Sequence, residues 1–475
     1  MRHLSLALAA LFLLAAGRLS AQESTILTTS TQLPQINYFN PACFPTSGMF
    51  YLSLPNINVN FVSPVSMNNI MQYDPERDKT VININNILDT LALGDFSRLR
   101  SSFHLIGFGF RLKNCIVTFS SQLRLDGTVG IPYGIFNAMR TGNMSNRGTG
   151  KELKLVDGSL FSMCAYAEYG LGFGYSLDKY RIPGHLTVAV KPKLLVGYHN
   201  INTVNTDMSL YTSEDLSTLR LNVAYQLMTS SVLSFNNGRF GVSDFMPDNR
   251  GFALDLGASY TWRHFEFGAS ILDIGGIHWR DNVKILTPEG GEGQFTFTGL
   301  DVTGLITGGQ IDSNYIPALY DTVMMRVRPV SSEGEPYYQS IPTKFNLSAA
   351  YRYKKLLKAG LTFHGELYNG NFCHTTVLSG DVNLLDRLEL TAGFSVIHNG
   401  TYTDWFNPGI GLNITLIKAL QLFAMIDYTS SLYMFDAKAV NVYGGINLLL
   451  VPGGLFKSIE ETQPKTQKPG ELEIR

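Results

Sequence analysis

One short motif combines side chains that could bind a ligand or a metal ion. His364 and Glu366 are two residues apart, so in an extended strand both point to the same face. Arg352, on the preceding alternating stretch, adds a positive charge that could lie near this pair. Imidazole and carboxylate groups suit a polar ligand contact or a metal pair. The alternative, which the sequence favours, is a charge network that hydrates and braces a confined interior.

Several other acidic residues lie on polar strand faces, but their spacing does not pair any two of them for acid–base catalysis. They are Asp255, Glu266, Glu389 and Asp427. The motifs GxSxG, HExxH and GxxxxGK[ST] do not occur in the sequence. The 4 cysteines form no CxxC, and their wide spacing indicates isolated thiols. We therefore predict no catalytic residue, no metal ion and no cofactor.

The composition points away from a soluble enzyme. Charged residues make up 16% of the 475 residues, against about 25% in typical soluble domains. Aromatic residues reach 12%, yet the mean hydropathy is only +0.04. This profile is typical of a membrane β-barrel, whose strands show one face to lipid and the other to a polar interior. The formal net charge of −1 gives no reason to expect a nucleic-acid partner.

The first residues resemble a secretory signal peptide. Arg2 and His3 precede an apolar stretch from Leu4 to Ala16, and Ala21 supplies a small residue before the expected cleavage. The apolar stretch is too short for a membrane-spanning helix, which needs roughly 20 residues. We predict a signal peptide at 1–21, and no later run is apolar enough for a spanning helix.

The most informative signal is the alternation of apolar and polar residues along the chain. It recurs at 117–125, 169–177, 186–196, 219–227, 252–260, 265–271, 345–353, 359–367, 388–396, 410–416 and 440–450. With further candidates at 49–62, 102–112, 373–384 and 418–428, the pattern predicts about 14 strands. We predict an all-β fold, a transmembrane antiparallel β-barrel over 49–456.

A soluble β-sandwich or propeller would also alternate, so the polar face decides between these folds. Here that face is rich in Gly, Ser, Thr and Asn with scattered charges, which suits a confined lumen. No repeat of 40 to 50 residues of the propeller kind is visible. The pattern therefore predicts a barrel in a bacterial outer membrane, with membrane lipid as its surroundings.

The connections between the strands carry their own signals. Short polar links near 354 and 385 suit the periplasmic side, and longer stretches at 229–250, 286–341 and 397–407 suit extracellular loops. Two short helices are predicted, at 133–141 and, on a weaker pattern, at 85–99. Residues 457–475 are polar and without periodicity, which predicts a flexible tail.

A resemblance to known barrels lies at Asn37-Tyr38-Phe39-Asn40-Pro41-Ala42. This segment resembles the "NPA" segment in the N-terminal hatch of long-chain fatty-acid outer-membrane transporters, and barrel proteins of the type IX secretion system look similar there. The chain is closer to an uncharacterised Bacteroidota family of predicted barrels. That family shares the early NPA, the stretch 117–143 and the Gly-rich alternating strands.

The resemblance implies an N-terminal plug, which we place at 22–48, inside a barrel of about 14 strands that admits hydrophobic ligands. It makes Asn40 and Pro41 candidate ligand contacts beside Arg352, His364 and Glu366. The individual residues with which these transporters contact their ligands cannot be matched to residues of this chain. The resemblance therefore does not identify a substrate. The first hypothesis is passive uptake or binding of a small hydrophobic solute. The second is a structural or secretion-associated barrel that holds a periplasmic or secretion partner protein.

Overall fold

A computed structural model gives the arrangement of the chain. It describes residues 25–30, 32–45, 50–141, 152–156, 158–159, 161–177, 183–213, 218–231, 247–289, 293–297, 321–322, 324–325, 328–354, 356–368, 371–384, 387–399, 402–417, 419–428 and 438–450. The predicted signal peptide at 1–21 and the predicted tail at 457–475 lie outside these described residues.

Strands make up most of the regular structure in the described residues. They are β1 (Phe50–Val62), β2 (Met71–Asp74), β3 (Lys79–Ile82), β4 (Phe96–Leu112), β5 (Cys115–Gly130), β6 (Leu153–Val156), β7 (Phe161–Ser176), β8 (His185–Thr212), β9 (Leu219–Ser231), β10 (Arg250–Trp262), β11 (Phe265–Trp279), β12 (Lys284–Pro288), β13 (Gly293–Phe297), β14 (Pro329–Glu333), β15 (Tyr337–Ser340), β16 (Thr343–Tyr353), β17 (Leu357–Tyr368), β18 (Asn371–Leu384), β19 (Leu388–Asn399), β20 (Tyr402–Ile417), β21 (Leu420–Ile426) and β22 (Ala439–Leu450). All except the β2–β3 hairpin belong to one sheet.

Within the described residues, 14 of these strands pair in a closed ring. The ring runs β1–β4–β5–β7–β8–β10–β11–β16–β17–β18–β19–β20–β21–β22 and returns to β1, and each pairing is antiparallel. Closure removes the unpaired edges that an open sheet would expose. The predicted antiparallel barrel of about 14 strands is confirmed.

The two ends of the barrel differ in how the strands are joined. At one end the connections are tight, and three of them contain a residue with positive φ: Lys113 at 53°, Arg263 at 54° and Lys354 at 54°. At the other end long stretches, such as 63–95 and 280–342, connect strands of the ring. We call these the short-turn end and the long-loop end. The predicted loop at 397–407 is wrong, because β19 and β20 run through most of it.

Alternation along the strands separates an apolar outer face from a polar inner face. On β17, Leu361 and Leu367 are 47% and 46% exposed, whereas Thr362, His364 and Glu366 are at most 1% exposed. Similar outward apolar residues on other strands of the ring include Phe103, Leu171, Phe173, Val190, Leu194, Phe267, Leu347, Leu378, Leu390, Leu412, Leu422 and Val442. An apolar belt around a polar interior is the pattern of a barrel that spans a membrane.

The strands outside the ring and the α-helices lie at the long-loop end. There β6, β9 and β12 to β15 extend the sheet beyond the ring, and three short helices span Met67–Ile70, Ile84–Thr90 and Tyr133–Thr141. The predicted helix at 133–141 is confirmed. The predicted helix at 85–99 is right only in its first half, because Phe96 already begins β4, whose pairing with β1 and β5 overrides the local pattern. No helix of the described residues is long and apolar enough to cross a membrane.

Candidate functional site: the barrel lumen

Residues 25–30 and 32–45, which we call the N-terminal segment, lie inside the short-turn half of the barrel. Two 3-10 turns, Thr25–Thr29 and Pro34–Tyr38, give the segment its shape. Pro34 opens the second turn, where its missing N–H leaves no helical hydrogen bond unmade. Leu27 and Leu33 are 0% exposed, so the segment is packed within the lumen and does not lie on its surface.

Side-chain hydrogen bonds fix the N-terminal segment to widely separated strands of the wall. Thr28 Oγ1 lies 2.7 Å from Thr362 Oγ1, Ser30 Oγ donates to Glu389 Oε2 at 2.8 Å, and Gln35 Nε2 donates to Asn447 Oδ1 at 2.7 Å. These contacts reach β17, β19 and β22. The Ser30 and Gln35 bonds are buried and the Thr28 contact is partly buried, so breaking them would leave polar groups with little access to water. This cost holds the segment in one position.

The candidate ligand residues Asn40 and Pro41 attach the segment to β10. Asn40 Nδ2 donates to the carbonyl of Ala258 at 2.9 Å, and its Oδ1 accepts from the N–H of Ala42 at 3.0 Å. A Cβ on Gly257 would lie 2.3 Å from Asn40 Oδ1 and 2.7 Å from Pro41 Cδ, so only glycine allows this close approach. The amide of Asn40 is therefore engaged with the wall and with its own turn.

Ten ionic side chains, which we call the charged cluster, line the lumen on the strands from β4 to β17. Five are cationic and five anionic, so their formal charges cancel. Every one of these ion pairs joins two wall strands. The members are Arg98, Arg100, Arg124, Lys193, Lys344, Asp126, Glu168, Asp255, Asp273 and Glu366.

Asp273 is the hub of the charged cluster. Its carboxylate lies 2.6 Å from Lys193 Nζ, 2.9 Å from Arg124 Nη1 and 3.1 Å from Lys344 Nζ. A bulge in β11 makes this possible, because Asp273 has a φ of 61° and donates its N–H to Asp255 Oδ1 at 2.8 Å. The three cations hold the Asp273 carboxylate in one position. These contacts offset the cost of the positive φ at Asp273, so the unfavourable backbone conformation persists.

Glu366 lies in the same cluster, bound to two arginines. Its carboxylate is 2.9 Å from Arg98 Nη2 and 3.0 Å from Arg100 Nη1, and it is 0% exposed. Arg98 also binds Asp126, because its Nε donates a hydrogen bond to Asp126 Oδ1 at 2.9 Å. Two charge-assisted contacts neutralise a carboxylate that would otherwise be costly to bury.

The structure separates Arg352 from the His364–Glu366 motif. Arg352 pairs with Lys358 across β16 and β17 near the short-turn end, and its guanidinium bonds Glu266. His364 instead contacts Asn346, with Nδ1 2.5 Å from Oδ1. The proximity of Arg352 to the motif was therefore a wrong expectation, because six register positions separate Lys358 from His364 along β17. The described residues contain no group of three His, Cys, Asp or Glu side chains placed to hold a metal ion.

The opposite side of the lumen is filled by apolar side chains, which we call the apolar cluster. It joins wall residues on β18, β21 and β22 to the N-terminal segment, and Phe423 packs edge-on against Tyr443 with centroids 5.1 Å apart. All members are at most 5% exposed. They are Ile26, Leu27, Leu33, Phe39, Val377, Phe423, Met425 and Tyr443.

A small cavity remains where the N-terminal segment meets the charged cluster. Tyr38 and Phe39 form one wall, and Arg100, Arg124 and Lys344 are among the lining residues opposite. Its volume is about 60 Å³, room for about four water molecules. Organic ligands occupy pockets of about 300 Å³ or more. A ligand of that size does not fit in this cavity.

The sequence reasoning missed most of these functional residues. It placed Asp255 on a polar face but did not single out Asp273, Glu168 or Lys193. The signal for Asp273 was Leu272-Asp273-Ile274-Gly275-Gly276, where alternation fails and two glycines follow. Such a break indicates a bulge, which can re-aim a side chain into the lumen.

The four cysteines lie far apart in the chain, and one of them, Cys43, belongs to the N-terminal segment. All four are free thiols. Burial raises the pKa of the Cys43 thiol, in the N-terminal segment, to about 11. The thiol therefore stays protonated at neutral pH and is a poor nucleophile.

Comparison with known proteins assigns a family to this barrel. Residues 41–427 match the profile described as "Family of unknown function (DUF5723)", and the chain belongs to that family. No curated protein matches the chain. The predicted membership of an uncharacterised barrel family is thereby confirmed, and its assignment to Bacteroidota stays a prediction.

Two solved structures illustrate the likeness in fold. A Pseudomonas aeruginosa FadL homologue is 10% identical, covers 91% of this chain and 97% of its own, and gives a TM-score of 0.39. The Pseudomonas putida toluene transporter TodX is 10% identical, covers 91% and 94%, and gives a TM-score of 0.36. Similarities of this size say nothing about substrate, and the fold rests on the strand pairings.

Proposed function

We propose that this chain is an outer-membrane barrel that binds a small, mainly hydrophobic solute and passes it passively when the N-terminal segment shifts. The apolar cluster carries this proposal. Half of its members belong to the segment and half to the wall. When the segment leaves, Val377, Phe423, Met425 and Tyr443 become an apolar lining, which an apolar solute can cover in place of the segment.

The outer face of the barrel supports a location in a bacterial outer membrane. The belt of outward leucine, valine and phenylalanine side chains suits membrane lipid, and a closed ring satisfies all backbone hydrogen bonds within it. The predicted signal peptide supplies the route of export. Barrels of the outer membrane have short turns on the periplasmic side. We therefore place the short-turn end, with the N-terminal segment, toward the periplasm.

The charged cluster supports the proposal in a different way. Its ion pairs join only wall strands, so the wall keeps its shape when the segment moves. It also presents charge opposite the apolar lining. An amphipathic solute, with its polar end toward Arg100 or Lys344, fits this lumen better than a wholly apolar one.

A reversible disulfide between segment and wall tests whether the segment must move. In a background with the four native cysteines replaced by alanine, Thr28→Cys with Thr362→Cys joins positions whose hydroxyls are 2.7 Å apart. The purified protein is placed in liposomes, and entry of a fluorescent apolar solute is measured with the bond oxidised and reduced. We expect entry at least tenfold slower when oxidised, and recovery on reduction.

The matched control places the same bond within the wall. Ser176→Cys with Thr187→Cys joins β7 to β8, where the two hydroxyls lie 2.9 Å apart. We expect oxidation of this pair to leave entry unchanged. Equal entry in oxidised and reduced Thr28–Thr362 protein would show that the segment is not the gate, and the proposal would fall.

A structural barrel that holds a partner protein is the second candidate. The observation that favours it is a set of exposed apolar side chains at the long-loop end, with Tyr73, Ile82 and Met139 exposed by 58%, 67% and 64%. Changing the three to serine should abolish co-purification of a partner from membranes and leave solute entry intact. If solute entry is absent in every protein and the triple variant loses a partner, this second function replaces the first.

A further inference from the structure

We infer that the base of the lumen contains a divalent-cation site, of the size and chemistry of calcium, between the N-terminal segment and strands β18 to β20. Its ligands are Asp381 and Glu389 with the oxygens of Asn413 and Ser30. No residue of this set belongs to the charged cluster.

The register brings three of these residues together on the inner face. Asp381 pairs with Thr391, two residues along β19 from Glu389, and Glu389 pairs directly with Asn413 on β20. Diagonal neighbours on one face of a sheet lie within reach of each other's side chains. Asp381, Glu389 and Asn413 are 3%, 1% and 2% exposed, so the carboxylates have little access to water.

Asp381 differs from every carboxylate of the charged cluster. Its Oδ1 accepts from Thr391 Oγ1 at 2.5 Å, and the Thr29 hydroxyl of the N-terminal segment also lies beside the carboxyl, but among the described residues no cation pairs with it and its Oδ2 makes no close hydrogen bond. The cation opposite it in the register, Lys358, instead lies 2.9 Å from Glu266 Oε2. A buried carboxylate oxygen without a partner is costly unless a positive charge compensates it.

Asn413 gives an independent indication of a ligand at this place. Its Nδ2 donates to Glu389 Oε2 at 3.0 Å, so the side chain is directed at the acidic pair. Its Oδ1 has no hydrogen-bond partner among the residues that the structure describes. A buried neutral amide oxygen left unpaired next to the Glu389 carboxylate is the arrangement that a bound cation satisfies.

The chemistry of the oxygens selects the class of cation. Carboxylate, amide and hydroxyl oxygens are the ligands of hard divalent ions, and calcium accepts irregular sets of them. Two carboxylates balance its two charges. Ser30, whose Oγ donates to Glu389 Oε2 at 2.8 Å, brings the N-terminal segment to the same site. A bound ion would therefore clamp the segment to the wall, a consequence that rests on the proposed function.

Calcium binding to the full-length protein in detergent tests the site. After treatment with a chelator, calcium chloride is titrated and binding is measured by calorimetry. We expect Asp381→Asn to weaken the calcium affinity at least tenfold. Asp427→Asn is the matched control, since Asp427 is also a lumenal carboxylate, 2% exposed, but accepts from Asn441 Nδ2 at 2.8 Å away from this site.

A second variant keeps the test decisive if Asp381→Asn folds poorly. Asn413→Asp adds a third carboxylate, so a cation site predicts calcium affinity several-fold tighter than in the unchanged protein. A merely structural polar network predicts weaker folding, seen as lost heat-modifiable gel mobility, without a change in affinity.

The inference is overturned if the unchanged protein binds no calcium, or if Asp381→Asn binds it equally well, as calcium held by co-purified lipid headgroups would. Solute entry is not part of this measurement. Calcium binding can therefore succeed where the disulfide experiment fails, and the reverse.

Discussion

The charged cluster and the apolar cluster fill the same lumen with opposite chemistry. Every ion pair of the charged cluster joins two wall strands, as Lys193 on β8 joins Asp273 on β11 at 2.6 Å. The apolar cluster takes half its side chains from the N-terminal segment, so it exists only while the segment is in place. The first therefore braces the wall without the segment, and the second depends on the segment.

Under the proposed function, this difference lets a rigid wall surround a segment that can move. Polar contacts that satisfy buried charges have fixed geometry and high cost of disruption. Apolar contacts are non-directional, so another apolar surface can replace the one that leaves. The predictions below test that division of roles, from the largest expected effect to the smallest.

Removing the central cation of the charged cluster should cause the largest loss. Lys193→Met leaves Glu168, Asp255 and Asp273 without an ammonium that lies within 3.1 Å of each. We expect the free energy of unfolding to fall by about 3–5 kcal/mol, as when one partner of a buried ion pair is removed. Denaturant titration in lipid vesicles measures it.

Lys191 provides the control on the same face of β8. Its Nζ contacts Asn37 Oδ1 at 3.4 Å and lies 5.1 Å from the Tyr38 ring, with no ion pair to a carboxylate among the described residues. Lys191→Met should therefore change stability by no more than about 1 kcal/mol. Equal losses for the two lysines would contradict the bracing role.

Truncating the apolar cluster from the segment side should be nearly as costly. Leu33→Ala removes a side chain that is 0% exposed, and such changes typically cost about 2–5 kcal/mol. Because the loss falls on the segment and not on the wall, protease cleavage near residue 33 should accelerate while the barrel keeps its folded gel mobility. If faster cleavage were accompanied by loss of the folded gel mobility, wall and segment would unfold together.

Crowding the anchor of the segment should have a smaller effect. Gly257→Ala places a methyl group 2.3 Å from Asn40 Oδ1, and overpacking of this kind costs about 1–3 kcal/mol. We expect faster solute entry through a loosened segment. If the contact with Asn40 causes this effect, Asn40→Ala should change the entry rate much less in the Gly257→Ala protein than in the unchanged protein.

The smallest effect is expected at Arg352. Its pair with Glu266 is partly exposed, with side chains 27% and 22% accessible, and such pairs contribute about 0–1 kcal/mol. The free energy of unfolding of Arg352→Met should differ from that of the unchanged protein by no more than this amount. Its rate of solute entry should be the same. A loss as large as that of Lys193→Met would mean that the charged cluster extends to the short-turn end.

Much of the barrel was readable from the sequence because its face pattern has a fixed period. Alternation placed Thr362, His364 and Glu366 inward and Leu361 outward, and counting such stretches predicted about 14 strands. One counted stretch, 219–227, is β9, which lies outside the ring. The site was less readable. Arg98 reaches Glu366 across 268 positions of the chain, and no local pattern contains that contact.

By itself, the sequence determined which side chains face the lumen, since a two-residue period leaves each residue only one face. The resemblance to the hatch segment of known transporters also made Asn40 and Pro41 candidate ligand contacts. The tertiary structure alone decided partners: folding of the ring brought Arg98 on β4 to Glu366 on β17, and the bulge at Asp273 aimed one carboxylate at three cations. Those outcomes depend on distances between strands remote in sequence, which local periodicity does not encode.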